Sequence, residues 1–222
     1  KSETLDGIIF IHELDNPSIY RYIQERGLPV ALCTFEKQEF GFPAVHIEEE
    51  ASAELAVEYL IQRGHRNIGL ITGEHFSFGR QREDGYKRAL AAHGIPYTPE
   101  CAVRVSAYNP EAGRTGMLTL LQRKKPLTAV FAVTDELAIG AIKALSESGL
   151  KVPEDISVIG LDDIDISAFT NPGLTTVRQP IFEMGKKSAD LVCEWIAHGR
   201  MQGRAELFTA TIVERESVRT LT

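Results

Sequence analysis

The side chains able to do chemistry are few and far apart in this sequence. Arg82 opens an expected helix, three residues before Gly85, in the run Arg82-Glu83-Asp84-Gly85-Tyr86. A guanidinium is a rigid planar fork that can hold two hydroxyls, or one carboxylate, at once. Asp162 ends the apolar run Ile156–Leu161, which follows the turn residues Val152-Pro153-Glu154-Asp155. Such a run reads as a parallel strand covered on both faces, and open α/β sheets bind ligands beyond the carboxyl ends of their strands. Asp162 is therefore an expected hydrogen-bond acceptor for a ligand. Asp163 is its neighbour, so the two carboxylates should point to opposite faces. They cannot flank one glycosidic bond, which requires carboxyls about 5 to 9 Å apart. Thr134 and Asp135 lie where a strand end meets a helix start, and capping accounts for at least one of them.

Other chemistries find no support. There is no G-x-S-x-G, no Walker A and no G-x-G-x-x-G after a strand. The six histidines form no HExxH. His46 has no nucleophile beside it, and His65, just after a helix end, reads as structural. Cys33, Cys101 and Cys193 are widely spaced without a CxxC and read as buried free thiols. No metal, no cofactor and no enzymatic activity are expected. A turnover dependent on Asp162 would revive an enzyme.

The elements that must position these groups alternate strand and helix along the chain. Strands are expected at Leu5–Ile11, Leu28–Cys33, Ala44–Ile47, Asn67–Thr72, Cys101–Val105, Thr128–Val133, Ile156–Leu161, Thr175–Val177 and Leu207–Val213. Helices are expected after Asn16-Pro17, over Ser52–Arg63, from Arg82 to Gly94, after Asn109-Pro110, after Thr134-Asp135 and over Phe182–His198. That alternation demands an α/β fold with mostly parallel, doubly wound sheets and right-handed crossovers. Of the 222 residues, 43% are hydrophobic and 25% charged, enough to bury one large or two small cores. The net charge of −7, without a basic stripe, argues against direct contact with DNA or an anionic membrane. No apolar run reaches the roughly 20 residues of a membrane span. The chain opens on Lys1 without a signal peptide and reads as a fragment or a processed product.

Five motifs then occur together in order: Gly64-His65-Arg66-Asn67-Ile68, the Arg82–Tyr86 run, Thr134-Asp135-Glu136-Leu137-Ala138-Ile139-Gly140-Ala141, the stretch Val152–Asp163 with Ile164, and Leu174-Thr175-Thr176-Val177-Arg178-Gln179-Pro180. Over nearly its whole length the sequence resembles the effector-binding core of lactose/galactose-repressor transcription regulators. The resemblance implies a periplasmic-binding-protein-like type I fold of two lobes, with a small-molecule effector, a sugar above all, in the cleft between them. It implies that two strand–helix units of the first lobe, the helix-turn-helix and the hinge helix are absent here. The expected lobes are residues 1–64 with 179–199 (a partial N-terminal lobe) and residues 65–178 with 200–222. Arg82 matches the family's effector-binding arginine, with Asp162 complementing it across the cleft. Tyr108 matches an aromatic that packs on the effector ring, and Thr134 a ligand-facing position. Thr34 stands where an Asp is common, Ile47 at an apolar cleft wall, and Gln179 on a crossover that reaches the cleft. Phe76 and Phe78 replace small polar residues, which implies a flatter, more apolar wall. The implied protein is a cytoplasmic repressor or activator, a homodimer or tetramer, meeting DNA only through a domain outside this chain and no membrane. An exported sugar-binding protein of a transporter is the alternative. On this reading Arg82→Ala removes effector binding and leaves the empty domain's stability within about 1 kcal/mol, as for a surface site.

Overall fold

The computed structural model describes residues 5–14, 16–73, 77–199 and 203–221. The chain divides into two compact units, residues 1–48 with 180–209 and residues 49–179 with 210–222. In the first unit, β1 (Ile8–Phe10), α1 (Pro17–Arg26), β2 (Val30–Cys33) and β3 (Ala44–Ile47) come first in the chain. The second unit then supplies α2 (Glu49–Gln62), β4 (Ile68–Gly73), α3 (Ser77–Ala92), β5 (Ala102–Val105), α4 (Pro110–Gln122), β6 (Ala129–Ala132), α5 (Asp135–Glu147), β7 (Ser157–Asp162) and β8 (Thr175–Arg178). α6 (Ile181–His198) and β9 (Ala205–Phe208) return to the first unit, and β10 (Thr211–Val213) to the second.

The first sheet runs β1-β2-β3-β9 and is parallel throughout. α1 starts as its sequence demands: the Asn16 side chain accepts from the Ser18 amide, Pro17 follows, and Gly27 closes the helix at φ 63°. β1 is shorter and less covered than the apolar run Leu5–Ile11 implies. It pairs on one side only, and Leu5 and Ile11 are exposed.

The second sheet runs β10-β8-β7-β6-β4-β5, parallel except for β10. Leu70, Ile71, Val130, Phe131, Val158 and Ile159 are wholly buried, as in strands covered on both faces. The strand order reverses at β4, which has β5 on one side and β6 on the other. Crossovers diverge at such a point and leave a crevice beyond the strands' carboxyl ends.

Two expectations shift. α2 belongs to the second unit rather than the first. Its Ala53, Ala56, Val57 and Leu60 are buried in the same core as β4 and β6. The expected final strand Leu207–Val213 divides: β9 pairs with β3 in one sheet and β10 with β8 in the other. An apolar run reveals burial but not its pairing partner. His65 is structural, though not through helix-end carbonyls. Its Nε2–H donates to the Arg219 carbonyl at 3.0 Å and its Nδ1 meets the Thr128 hydroxyl at 3.0 Å, fastening the C-terminal segment. Burial lowers its pKa, consistent with a neutral ring. Of the thiols, Cys33 is buried as expected and Cys193 is exposed.

α4 and α5 approach closely at glycines. A Cβ on Gly140 would stand 1.9 Å from the Pro110 carbonyl oxygen, and one on Gly113 2.2 Å from that of Leu137. Backbone cannot yield as a side-chain tip does, so Gly140→Ala is expected to cost about 3 kcal/mol, read as a lower urea midpoint.

Candidate functional site

β4, β6 and β7 bring the site's residues to the carboxyl edge of the second sheet. α3 follows β4 there, and the Thr72 hydroxyl donates to the Gly79 carbonyl at 3.0 Å, fixing the helix start. Three residues on, Arg82 turns inward and is 3% exposed. Its Nη1 donates to the Val133 carbonyl at 2.5 Å, just past β6, and to Asp162 Oδ1 at 3.2 Å, at the end of β7. Its Nε donates to Glu49 Oε2 at 2.6 Å, on the first turn of α2. Gln179 Nε2 donates to the same Asp162 oxygen at 2.7 Å. Arg82, Asp162 and Gln179, far apart in sequence, are thus one hydrogen-bonded cluster.

All of these groups lie in the second unit. The expectation that Arg82 and Asp162 face each other across a gap between lobes is corrected: they are in contact within one lobe. The expectation that Arg82→Ala leaves the empty domain's stability nearly unchanged falls with it, because this guanidinium is buried and ion-paired to two carboxylates. Burial works most strongly against the Arg82 charge, but Glu49 and Asp162 outweigh it and raise its pKa.

The neighbouring aspartates have opposite environments. Burial pushes the Asp162 carboxyl up to about 6, with Arg82 opposing the shift and Asp135 and Glu49 adding to it. Burial also acts on Asp163, yet hydrogen bonds from Arg215 Nη2 (2.6 Å) and Arg178 Nε (2.5 Å) hold it below the usual carboxylate range. Asp163 is therefore a structural ion-pair node. Asp162 and Asp163 have φ of 129° and 55°, strained values for residues bearing a side chain. Strain of this kind persists only where surrounding contacts enforce it, and it gathers at functional sites.

Asp135 is wholly buried behind this strand end. It accepts from the Ile164 amide, the Ser167 hydroxyl and the Thr176 hydroxyl at 3.0, 2.6 and 2.5 Å. Both its oxygens are taken, so it fastens the loop after β7 rather than meeting a ligand. Burial nonetheless raises its pKa against those bonds. Thr134 is the N-cap of α5, accepting from the Leu137 amide at 3.3 Å.

The Tyr108 ring fills the space beside two glycines: a Cβ on Gly73 would meet its Cζ at 2.3 Å, and one on Gly79 its hydroxyl at 2.1 Å. It is partly buried, and burial raises its pKa. Phe78 packs on it with ring centroids 4.9 Å apart, and the Arg82 guanidinium lies 4.8 Å from the Phe78 centroid. Phe78 and Tyr108 are therefore brought to the Arg82 cluster. Phe76 lies outside the described residues.

Thr34 and Ile47 belong to the first unit. Thr34 ends β2 at φ 80°, again strained, and its hydroxyl donates to the Ile11 carbonyl at 3.1 Å. Ile47 is 3% exposed and packs with Ala31, Val45, Met184 and Leu191, so it is core rather than cleft wall. Glu49 is the site residue that sequence reasoning missed. It sits in the run Glu48-Glu49-Glu50, and the expected helix began at Ser52, too late to show which of the three points inward. Among the described residues no group of three or more His, Cys, Asp and Glu could hold a metal, and no helix is long and apolar enough to cross a membrane.

Comparison with known proteins agrees with this architecture. The periplasmic binding protein-like domain family matches residues 57–218. The chain is 36% identical over 220 residues to a Bacillus subtilis protein named "Probable HTH-type transcriptional repressor ExuR", covering 98% of this chain and 66% of that one. It is 36% identical over 200 residues to the HTH-type transcriptional repressor CytR of Escherichia coli K12, covering 89% of this chain and 58% of that one. The chain thus spans roughly three fifths to two thirds of the length of these curated relatives. A sugar-binding LacI-family regulator from Escherichia coli, solved with phosphate, superposes with a TM-score of 0.86 at 30% identity, covering 97% of this chain and 78% of that one. A LacI-family regulator from Enterococcus faecium with bound ribose gives 0.87 at 30% identity, covering 98% and 81%. With a family match over most of its length and solved relatives of the same fold, the chain belongs to the periplasmic-binding-protein-like family, as an effector-binding core of the lactose-repressor type.

Proposed function

We propose that this chain is the sensing and dimerisation core of a cytoplasmic DNA-binding transcription regulator, and that a sugar is its effector. DNA is met by a domain outside this chain, in keeping with the net charge of −7. The observation that carries the reading is the Arg82–Asp162–Gln179 cluster at the sheet's switch point. It presents both donors and acceptors, as a polyol requires, with Phe78 and Tyr108 supplying an apolar face for sugar C–H groups. Ribose in the Enterococcus faecium relative supports a sugar. That the curated relatives are named repressors favours a regulator over an exported binding protein. Asp135, Thr134 and Ile47 act as supports.

Effector binding can shift the balance between conformations only by its different affinity for each, and a dimer transmits that shift to paired DNA-binding heads. The test is a melting-temperature screen with pentoses, hexoses, sugar phosphates and purines. An effector at a hundred times its Kd is expected to stabilise by about 2.7 kcal/mol, which is roughly 5 to 10 °C for a domain of this size. The shift should vanish in Gln179→Ala. A screen in which no sugar raises the melting temperature overturns the reading, and sedimentation as a monomer at micromolar concentration overturns the dimer.

A further inference from the structure

We infer that Glu49 makes the effector site selective for charge: paired with Asp162 around Arg82, it leaves a site that accepts an uncharged, hydroxyl-bearing ligand and rejects the matching carboxylate or phosphate. The inference rests on the proposed sugar-sensing role and narrows its ligand class.

A lone buried arginine is an anion receptor, because its fork matches carboxylate and phosphate oxygens. Arg82 is not alone. Glu49 holds its Nε edge at 2.6 Å and Asp162 meets Nη1 at 3.2 Å, so its charge is already answered twice. The Glu49 side chain is only 11% exposed, and its electrostatic influence extends to Asp162. Asp135 adds a third carboxylate from α5, close enough to act on Asp162. The remaining cations near β7 are committed elsewhere: Arg178 and Arg215 both bind Asp163. Arg80 on α3 reaches Tyr108 electrostatically but is exposed, where solvent screens it, and Arg88 is held by Glu50 and Glu54. Two carboxylates therefore hold one guanidinium, and a third acts on Asp162 from behind, with the arginine itself and Glu49 largely shielded from water. An added anion meets repulsion, whereas hydroxyl donors meet an open acceptor: Arg82 and Gln179 both use Asp162 Oδ1, leaving Oδ2 for a ligand. Specificity built on such a repulsive element is a general device.

The test pairs ligands of one shape and different charge, glucose with glucuronate and ribose with ribose 5-phosphate, using titration calorimetry on the whole chain. The unaltered protein is expected to bind the neutral member of whichever pair fits at least tenfold more tightly, an arm that depends on no variant. Glu49→Gln keeps a carbonyl oxygen to accept from Arg82 Nε and removes only the charge. It is expected to shift the preference between the neutral sugar and its anionic partner at least tenfold towards the anion, a response that a purely structural Glu49 would not give. Equal or tighter binding of the anion by the unaltered protein overturns the inference while the sugar-sensing role stands. An unchanged preference in a folded Glu49→Gln protein does the same. Failure of both members of both pairs to bind removes the glucose- and ribose-type effectors and the inference with them, while the wider screen still decides the sensing role.

Discussion

Arg82→Ala is expected to destabilise the ligand-free protein by roughly 3–5 kcal/mol as well as abolish effector binding. The residue is 3% exposed and joins three chain segments: α2 through Glu49, the end of β6 through the Val133 carbonyl, and the end of β7 through Asp162. Truncation leaves Glu49 and Asp162 in a buried space without their cation, and an unpaired buried charge costs far more than the pair contributes. The cost should show as a lower urea midpoint with an unchanged slope. Neutralising the stranded carboxylates should recover much of it, so Arg82→Met combined with Glu49→Gln and Asp162→Asn is expected to melt well above Arg82→Ala yet remain blind to effector. A single Arg82→Ala protein as stable as the parent would mean that this ion-paired cluster does not hold in solution.

Effector affinity should depend on pH through Asp162. Its carboxyl is raised to about 6, above an unfolded value near 4. For folding, a raised carboxylate favours the native state most when protonated, so its contribution is present at low pH and is lost as pH rises from about 4 through 6. For binding the sign is opposite, because a hydroxyl-donating effector needs the ionised form. Affinity is therefore expected to be about tenfold weaker at pH 5 than at pH 7, with one proton released per effector bound below pH 6. Asp162→Asn should flatten that profile and lower affinity at pH 7 by roughly 10- to 150-fold, the worth of a hydrogen bond to a charged group. Stability should suffer less than in Arg82→Ala, since Glu49 still pairs with the arginine. Calorimetric titration from pH 5 to 8 checks both statements, and a flat profile in the parent protein removes Asp162 as the acceptor.

Of these two residues, Asp162 stands out in the amino-acid sequence by local pattern, whereas Arg82 is singled out by the motif that carries the family resemblance. A short apolar run with turn chemistry before it and a carboxylate after it places Asp162 at a strand's carboxyl end. The strand and helix alternation likewise reads directly as a doubly wound fold, and Asn16-Pro17 and Asn109-Pro110 mark helix starts that the structure bears out. These signals act between residues close in sequence, through backbone geometry and side-chain periodicity.

Everything that depended on which distant segments meet was decided by tertiary packing. The apolar face of α2 announced burial, but only its packing shows that it lies in the core with β4 and β6. The run Leu207–Val213 announced a strand, but only pairing divides it between two sheets. In sequence Asp135 follows a strand end beside a capping threonine, Ile47 matches a cleft wall only by resemblance, and Glu49 falls before the expected helix. Hydrogen-bond partners fix the first as a loop fastener, side-chain packing fixes the second as core, and the arginine at 2.6 Å fixes the third as part of the site. A charge declares its sign in one dimension, but whether it is buried, and against what, is a property of three.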